Sequence, residues 1–304
     1  MGESLKMLRT TLGNHEYTFF KGHQKEDKYR ASFNALSIKI FGLSFEEWYK
    51  SGYWNEKYIP YTLFDGEKAV ANVSVNIMDF NILGKQQRYI QIGTVMTDEN
   101  YRNKNLNRFL LERVLDDWNN KCDLIYLFAN ETVLGFYPKF GFRRAKEYEY
   151  SKKINKKMAS DKPEKLNMDL HLNRDMLYDY AKNSVSFGKV SMKENADLVL
   201  FYCTEPMKDN VYFIKSLDVI VIATFQDNQI QLLDIFAKSH VELDKVIEFM
   251  STSDIKSVLL GFTPENCRSY DVREKSDDDH LFIQEGKTNF FDEHKVMFPR
   301  LSHA

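Results

Sequence analysis

The residues best placed to do chemistry lie between Val95 and Leu115, in the segment VMTDENYRNKNLNRFLLERVL. An apolar alternation ends there, a polar turn follows, and a short basic loop opens directly onto a helical repeat. A helix begun in this way presents main-chain N–H groups that have no partner within the helix, together with the positive end of its dipole. Arg102, Lys104 and Arg108 place cationic side chains around that point. The arrangement suits a pyrophosphate. Standing alone, the segment reads better as a charged strand-to-helix turn.

The elements that must position this loop follow from hydrophobic periodicity. Tyr29, Phe33, Leu36 and Ile40 predict an amphipathic helix over Asp27–Lys39, and the aromatic stretch Phe41–Tyr61 reads as short helix and loop. Strands are expected at Tyr61–Phe64, Ala69–Met78 and Arg88–Met96, with turns at Asp65-Gly66 and Leu83-Gly84-Lys85. From Leu106 the period becomes helical through Phe109, Leu110, Val114, Leu115 and Trp118. Asp123–Ala129 is a nearly continuous apolar run, as in a strand buried on both faces. Thr132–Phe140 reads as a second short helix, and Arg143–Ile154 returns to alternation. The order implies a parallel pair, joined by a crossover helix, within a mixed sheet.

The hydrophilic stretch Lys152–Lys165 then predicts a linker, which gives domains at 1–155 and 168–304 separated by 156–167. In the second, smaller α/β domain, Leu198–Cys203, Val211–Ile214, Val219–Phe225 and Gln229–Phe236 read as strands. Val241–Met250 reads as a helix and Ser257–Phe262 as a further strand.

A net charge of -2 offers no electrostatic reason to expect nucleic acid or an anionic membrane as partner. No apolar run approaches the ~20 residues of a membrane span. Cys122, Cys203 and Cys267 are far apart and without CxxC spacing, so free thiols and a cytoplasmic location are expected. Asp277-Asp278-Asp279 lacks the spacing of a calcium loop, no Cys/His cluster occurs, and no metal is expected.

The loop does not stand alone. R-N-K-N-L-N (Arg102–Asn107) resembles the acetyl-CoA-binding motif of the GNAT superfamily, the Gcn5-related N-acetyltransferases, with Asn105 and Asn107 where glycines are usual and Asn103 where many members carry another. Asn is the non-glycine residue that best tolerates the left-handed region, so the loop's backbone shape can survive these replacements. Downstream, ANETVLGFYPKFGF (Ala129–Phe142) resembles the family's second motif, in which an Asn ends a strand and FYxKxGF closes a short helix. The resemblance covers roughly residues 15–155 and is to bacterial members with a C-terminal extension.

The resemblance implies the acyl-CoA N-acyltransferase fold in the first half, with the second half similar to a degenerate GNAT-like unit. It implies acetyl-CoA as cofactor and a primary amine of a small molecule or peptide as acceptor. Val95, Met96 and Thr97 would meet the pantetheine arm, and the main chain of Asn103, Lys104, Asn105, Leu106, Asn107 and Arg108, beside Arg102, would hold the pyrophosphate. Asn130 would contact pantetheine or acceptor, although its position also suits helix capping. Tyr137 would be the general acid that protonates the leaving thiolate. Trp48, Tyr53, Trp54 and Tyr58 lie where the family builds its acceptor pocket and could enclose an organic amine; packing of a helical lid is the simpler role for each. Gln91 stands on the strand where some members place a base. A non-catalytic acyl-CoA-binding or regulatory role is the alternative, and a homodimer remains open.

Overall fold

The computed structural model describes residues 7–154, 162–276 and 278–303. The first half opens with strands β1 (Met7–Leu12) and β2 (His15–Lys21), helices α1 (Asp27–Phe41) and α2 (Glu46–Lys50), and the meander β3 (Tyr58–Asp65), β4 (Lys68–Ile82) and β5 (Lys85–Thr97). Helix α3 (Leu106–Trp118) and strand β6 (Leu124–Ala129) follow, then the short strands β7 (Phe142–Arg144) and β8 (Tyr148–Lys153). The second half contains β9 (Glu164–Lys165), α4 (His171–Asn183), β10 (Val190–Lys193), α5 (Ala196–Thr204), β11 (Val211–Ile214), β12 (Val219–Gln226) and β13 (Gln229–Ala237). It closes with α6 (Leu243–Met250), β14 (Ser257–Leu260), β15 (Asp271–Glu274) and β16 (His280–Gln284). No described helix is long and apolar enough to cross a membrane.

Two mixed sheets result. The first runs β1-β2-β3-β4-β5-β6-β16-β7, with β10 paired to the far end of β4; the second runs β15-β8-β14-β13-β12-β11-β9. In the first, β5 and β6 are the parallel pair, and α3 supplies the crossover that a parallel connection needs. Leu106, Leu110, Leu111 and Val114 press α3 onto Tyr61, Leu63, Val73 and Val75 on one face. Tyr29, Phe33 and Leu36 of α1 pack with Phe20, Phe64 and Met96. β6 is covered on one face by α3, through Ile125 and Leu127, and on the other by Phe290, Phe291 and Phe298 from the end of the chain, against Leu124 and Tyr126, so its sequence LIYLFA shows no solvent face. The second sheet repeats the device, with α6 joining the parallel strands β13 and β14.

Some elements differ from the sequence expectation. Leu198–Cys203 lies in helix α5, not a strand. Val199, Leu200 and Cys203 pack toward Leu177 and Ile220, while Leu198 and Phe201 join the cluster around Phe45 and Trp48. A helix apolar all round shows no polar stripe, so periodicity cannot separate it from a buried strand. Thr132–Phe140 forms two 3-10 turns, Glu131–Val133 and Tyr137–Phe140, in place of one helix. Arg143–Ile154 divides: β7 joins β16 in the first sheet and β8 joins β14 and β15 in the second.

The sheets therefore exchange strands. β8, before the expected linker, belongs to the second sheet, and β16, near the end of the chain, sits between β6 and β7 in the first. Of the linker 156–167, residues 156–161 lie outside the described residues, and Glu164–Lys165 pairs with β11.

Candidate functional site

The site begins with a flaw in strand pairing. On β4–β5, Asn72 faces Met96 while Ser74 faces Gly93, so Thr94 and Val95 share the single partner Val73. Such a bulge bends its strand. Thr94 carries it with φ 46°, a left-handed conformation that a β-branched residue rarely adopts. Just before it the parallel pairing stops, at Ile92 beside Leu127, and the two strands part. The gap opens a cleft of about 740 Å³ lined by Thr94, Val95 and Thr97 on one wall and Phe128, Ala129 and Asn130 on the other. Met96 turns to the opposite face and is buried against α1, as strand alternation requires.

The basic loop closes one end of this cleft. Asn103 (φ 62°) and Asn105 (φ 59°) adopt the left-handed conformation, and Asn105 is the residue from which α3 starts. Among the described residues, no main-chain N–H from Asn103 to Arg108 donates a backbone hydrogen bond; the ladder of α3 begins at Phe109, which donates to Asn105. Leu106 is buried and fixes the helix start onto the core. Asn107 lies in the first turn, its side-chain oxygen buried with no partner among the described residues. Arg102 and Lys104 are exposed, with Lys104 4.6 Å above the Tyr101 ring, and Arg108 pairs with Glu112 at 3.0 Å. The turn before the loop is anchored by Tyr101, which donates to Asp65 at 2.7 Å, and by Asp98. Asp98 is buried, which opposes ionisation, yet hydrogen bonds from Lys68 and the Asn100 N–H hold its carboxyl below the usual carboxylate range.

Asn130 ends β6 and caps the first 3-10 turn, accepting from the Thr132 N–H at 3.1 Å and hydroxyl at 2.6 Å. Tyr137 starts the second turn and lines the same cleft. Its ring is buried against Phe136, Phe142 and, from β16, Phe282 at 5.9 Å. Burial pushes the phenol up to about 12, and no described residue hydrogen-bonds its hydroxyl. Gln91 is buried at the floor, opposite Asn76 on β4 and Tyr126 on β6.

The aromatic residues expected around an acceptor are elsewhere. Trp48, Trp54 and Tyr58 are buried in a packed cluster with Phe33, Phe45 and Phe201, and Tyr53 stacks on Tyr178 of α4 at 5.8 Å. Their polar atoms are spent internally: Trp48 donates to the Asp197 carbonyl at 2.8 Å and Trp54 to the Tyr58 carbonyl at 3.1 Å. None lines the cleft, because α5, read as a strand from its sequence, covers this cluster with Phe201. Tyr58 alone touches the cleft wall indirectly, through the Thr94 hydroxyl at 2.8 Å.

The cleft is completed by Phe41, from the start of the aromatic stretch Phe41–Tyr61, by Asp279, weighed in the sequence only as part of a metal loop, and by Phe128 and His303, which sequence reasoning passed over. His303 stacks on Phe128 with ring centroids 3.7 Å apart; burial, and secondarily Lys275 and Arg300, hold its imidazole well below the ordinary histidine range. The tail around Pro299 reads as a docked segment, but nothing in the sequence says that it docks here. Asp277 lies outside the described residues, and among those described no cluster of metal-ligating side chains forms.

Residues 23–145 match the family model described as an acetyltransferase (GNAT) domain. Several solved structures share the fold. A probable N-acyltransferase from Enterococcus faecalis V583, described as a conserved protein of unknown function, superposes with a TM-score of 0.60 at 13% identity, covering 88% of this chain and 72% of that one. A GCN5-related N-acetyltransferase from Kribbella flavida gives 0.53 at 13% identity, covering 92% and 70%. Eis1 from Mycobacterium abscessus gives 0.53 at 14% identity, covering 87% and 72%. At these identities the likeness speaks for the fold, and it extends through the second sheet. No curated protein matches the sequence.

Proposed function

We propose, from the match of residues 23–145 to the model of a GNAT acetyltransferase domain, that this chain transfers acetyl from acetyl-CoA to a primary amine of a small molecule or peptide by direct nucleophilic attack. The observation that carries the reading is the joint placement of two features on one cleft: the loop Asn103–Arg108 with its unengaged main-chain N–H groups, and the protonated phenol of Tyr137.

The residues present fit the cofactor. Left-handed Asn103 and Asn105 keep the loop open where a pyrophosphate would sit, and Arg102 and Lys104 add charge at its mouth. The buried, unsatisfied oxygen of Asn107 is an acceptor that an amide N–H of a pantetheine arm would satisfy. Val95 and Thr97 line the wall beyond the bulge, where an extended ligand can pair like an added strand. A cleft of about 740 Å³ is in the ordinary range for a ligand of this class.

In the reaction, the amine nitrogen bonds to the thioester carbonyl carbon, the C–S bond breaks, and the sulfur leaves with the electron pair. Tyr137 is held protonated by burial and donates to that sulfur. The amine gives up one proton to solvent and solvent restores the proton on Tyr137; His303 on the cleft wall takes no part as a base, since burial, Lys275 and Arg300 all disfavour its cation. The overall balance is one amine proton moved to the thiol.

Calorimetric titration with acetyl-CoA, followed by a panel of amines with free-thiol detection, tests the proposal. Saturable binding and amine-dependent thiol release are expected. Binding without release across a broad panel points to a non-catalytic acyl-CoA-binding module, and no binding by the folded protein overturns the cofactor assignment.

A further inference from the structure

A buried polar chain crosses the sheet beneath the cleft and ends at the bulge. His23, Thr62, Asn72 and Ser74 have no solvent exposure and Tyr58 almost none. Unpaired polar groups in such a place are costly, and these are paired with one another, save His23 Nδ1, which has no partner among the described residues. His23 Nε2 lies 2.7 Å from the Thr62 hydroxyl, which donates to Asn72 Oδ1 at 2.7 Å. With the Thr62 proton committed to Asn72, His23 must be the donor through Nε2–H. Burial keeps its imidazole neutral, with a pKa of about 3. The Asn72 amide then spends both protons, one on Ser74 Oγ at 2.9 Å and one on the Thr94 carbonyl at 2.9 Å. From the other side the Tyr58 hydroxyl meets Thr94 Oγ1 at 2.8 Å.

Thr94 is thus held by its carbonyl and by its side chain, at a φ of 46° that a β-branched residue resists. Strain of this kind persists only where the surroundings over-determine it. We infer that Asn72, assisted by Tyr58, is a positioning residue that locks the Thr94 bulge and so sets the direction in which β5 offers Val95 and Thr97 to the acyl-CoA. The inference rests on the reading of the cleft as an acyl-CoA site. Neither Asn72 nor Tyr58 lines the cleft; both act through Thr94.

Calorimetry with CoA and amide hydrogen exchange on the ligand-free protein test this together. Asn72→Ala is expected to weaken CoA by about tenfold, the effect of losing one buried amide–carbonyl hydrogen bond. It should also speed exchange at Val95–Thr97 more than at Tyr89–Ile92. Thr94→Gly, which accepts positive φ without strain, is expected to recover most of the affinity in the Asn72→Ala background. A purely structural role predicts a lower melting temperature with unchanged CoA affinity and evenly raised exchange, and that result overturns the inference. If Asn72→Ala does not fold, Tyr58→Phe removes one contact only and should weaken CoA by about threefold; no change in CoA affinity or in exchange at Val95–Thr97 then counts against the lock. Wild-type protein that binds no CoA overturns the functional reading, and the exchange pattern still decides whether the clamp exists.

Discussion

A tyrosine walled in by Phe136, Phe142 and Phe282 keeps its proton because its anion would be poorly solvated. The protonated form is the donor, so the contribution of Tyr137 is present at low and neutral pH and is lost as pH rises through about 12. Tyr137→Phe should lower kcat by about 10²-fold or more while leaving CoA affinity nearly unchanged, measured by steady-state kinetics and calorimetry. The wild-type kcat profile should show no descending limb near pH ~10, where an unperturbed tyrosine titrates; a limb there that Tyr137→Phe abolishes would contradict the burial argument. The position of Tyr137 beside the loop's cleft was legible because FYPKFGF is a local pattern, and so was the capping aptitude of Asn130. The pocket aromatics were not. Residue type says that Trp48, Trp54 and Tyr58 will bury surface, but which surface depends on α5, some 140 residues further along the chain. For the same reason no local signal links His303 to Phe128.

At the scale of elements, the turn from β5 to α3 shows why asparagine can stand where glycine is usual. Asn103 and Asn105 take φ near +60°, a region open to glycine and tolerated by asparagine, and their side chains remain exposed, so the added bulk faces away from the core. Asn105→Gly should therefore retain CoA affinity within about threefold, whereas Asn105→Val should lose about tenfold, since a β-branched residue there costs about 1–2 kcal/mol. Titration of both variants checks the pair, and equal affinities would mean that the loop's conformation does not govern binding. Periodicity located β3, β4, β5, α3 and β6 because each has one regular buried face or a continuous apolar core. It failed for α5, which is apolar all round. It also failed at 142–153, where one alternating run serves two sheets and the break at Ala145-Lys146-Glu147 leaves the pattern undisturbed.

Across the whole molecule the exchange of β8 and β16 makes the two sheets depend on one another, and a buried ion pair marks the crossing. Glu147 lies just before β8 and Lys275 just after β15, and their side chains meet at 2.9 Å with 3% and 2% exposure. Glu147 also accepts the Phe298 N–H at 2.8 Å, which ties the tail to the same point. Burial is the largest influence on this carboxyl and raises its pKa, while Lys275 pulls it back. Lys275→Met should remove that pull and cost about 3–5 kcal/mol at neutral pH, the usual penalty for leaving a buried charge uncompensated. A carboxyl whose folded pKa is raised above its unfolded value contributes stability below the unfolded pKa and loses it as pH rises through the folded one. The deficit of Lys275→Met, read by urea unfolding, should thus shrink as pH falls from neutral toward the ordinary carboxylate range, and Glu147→Gln added to it should recover part of the loss at neutral pH. Because Trp48, Trp54 and Trp118 all belong to the first half, tryptophan fluorescence reports that half while far-UV circular dichroism reports the whole chain. Strand exchange requires the two signals to change together in one transition, in wild type and variant alike. A fluorescence transition displaced from the dichroism transition would show that the sheets unfold separately, and the interlocking of β8 and β16 would then contribute nothing to the cohesion of the molecule.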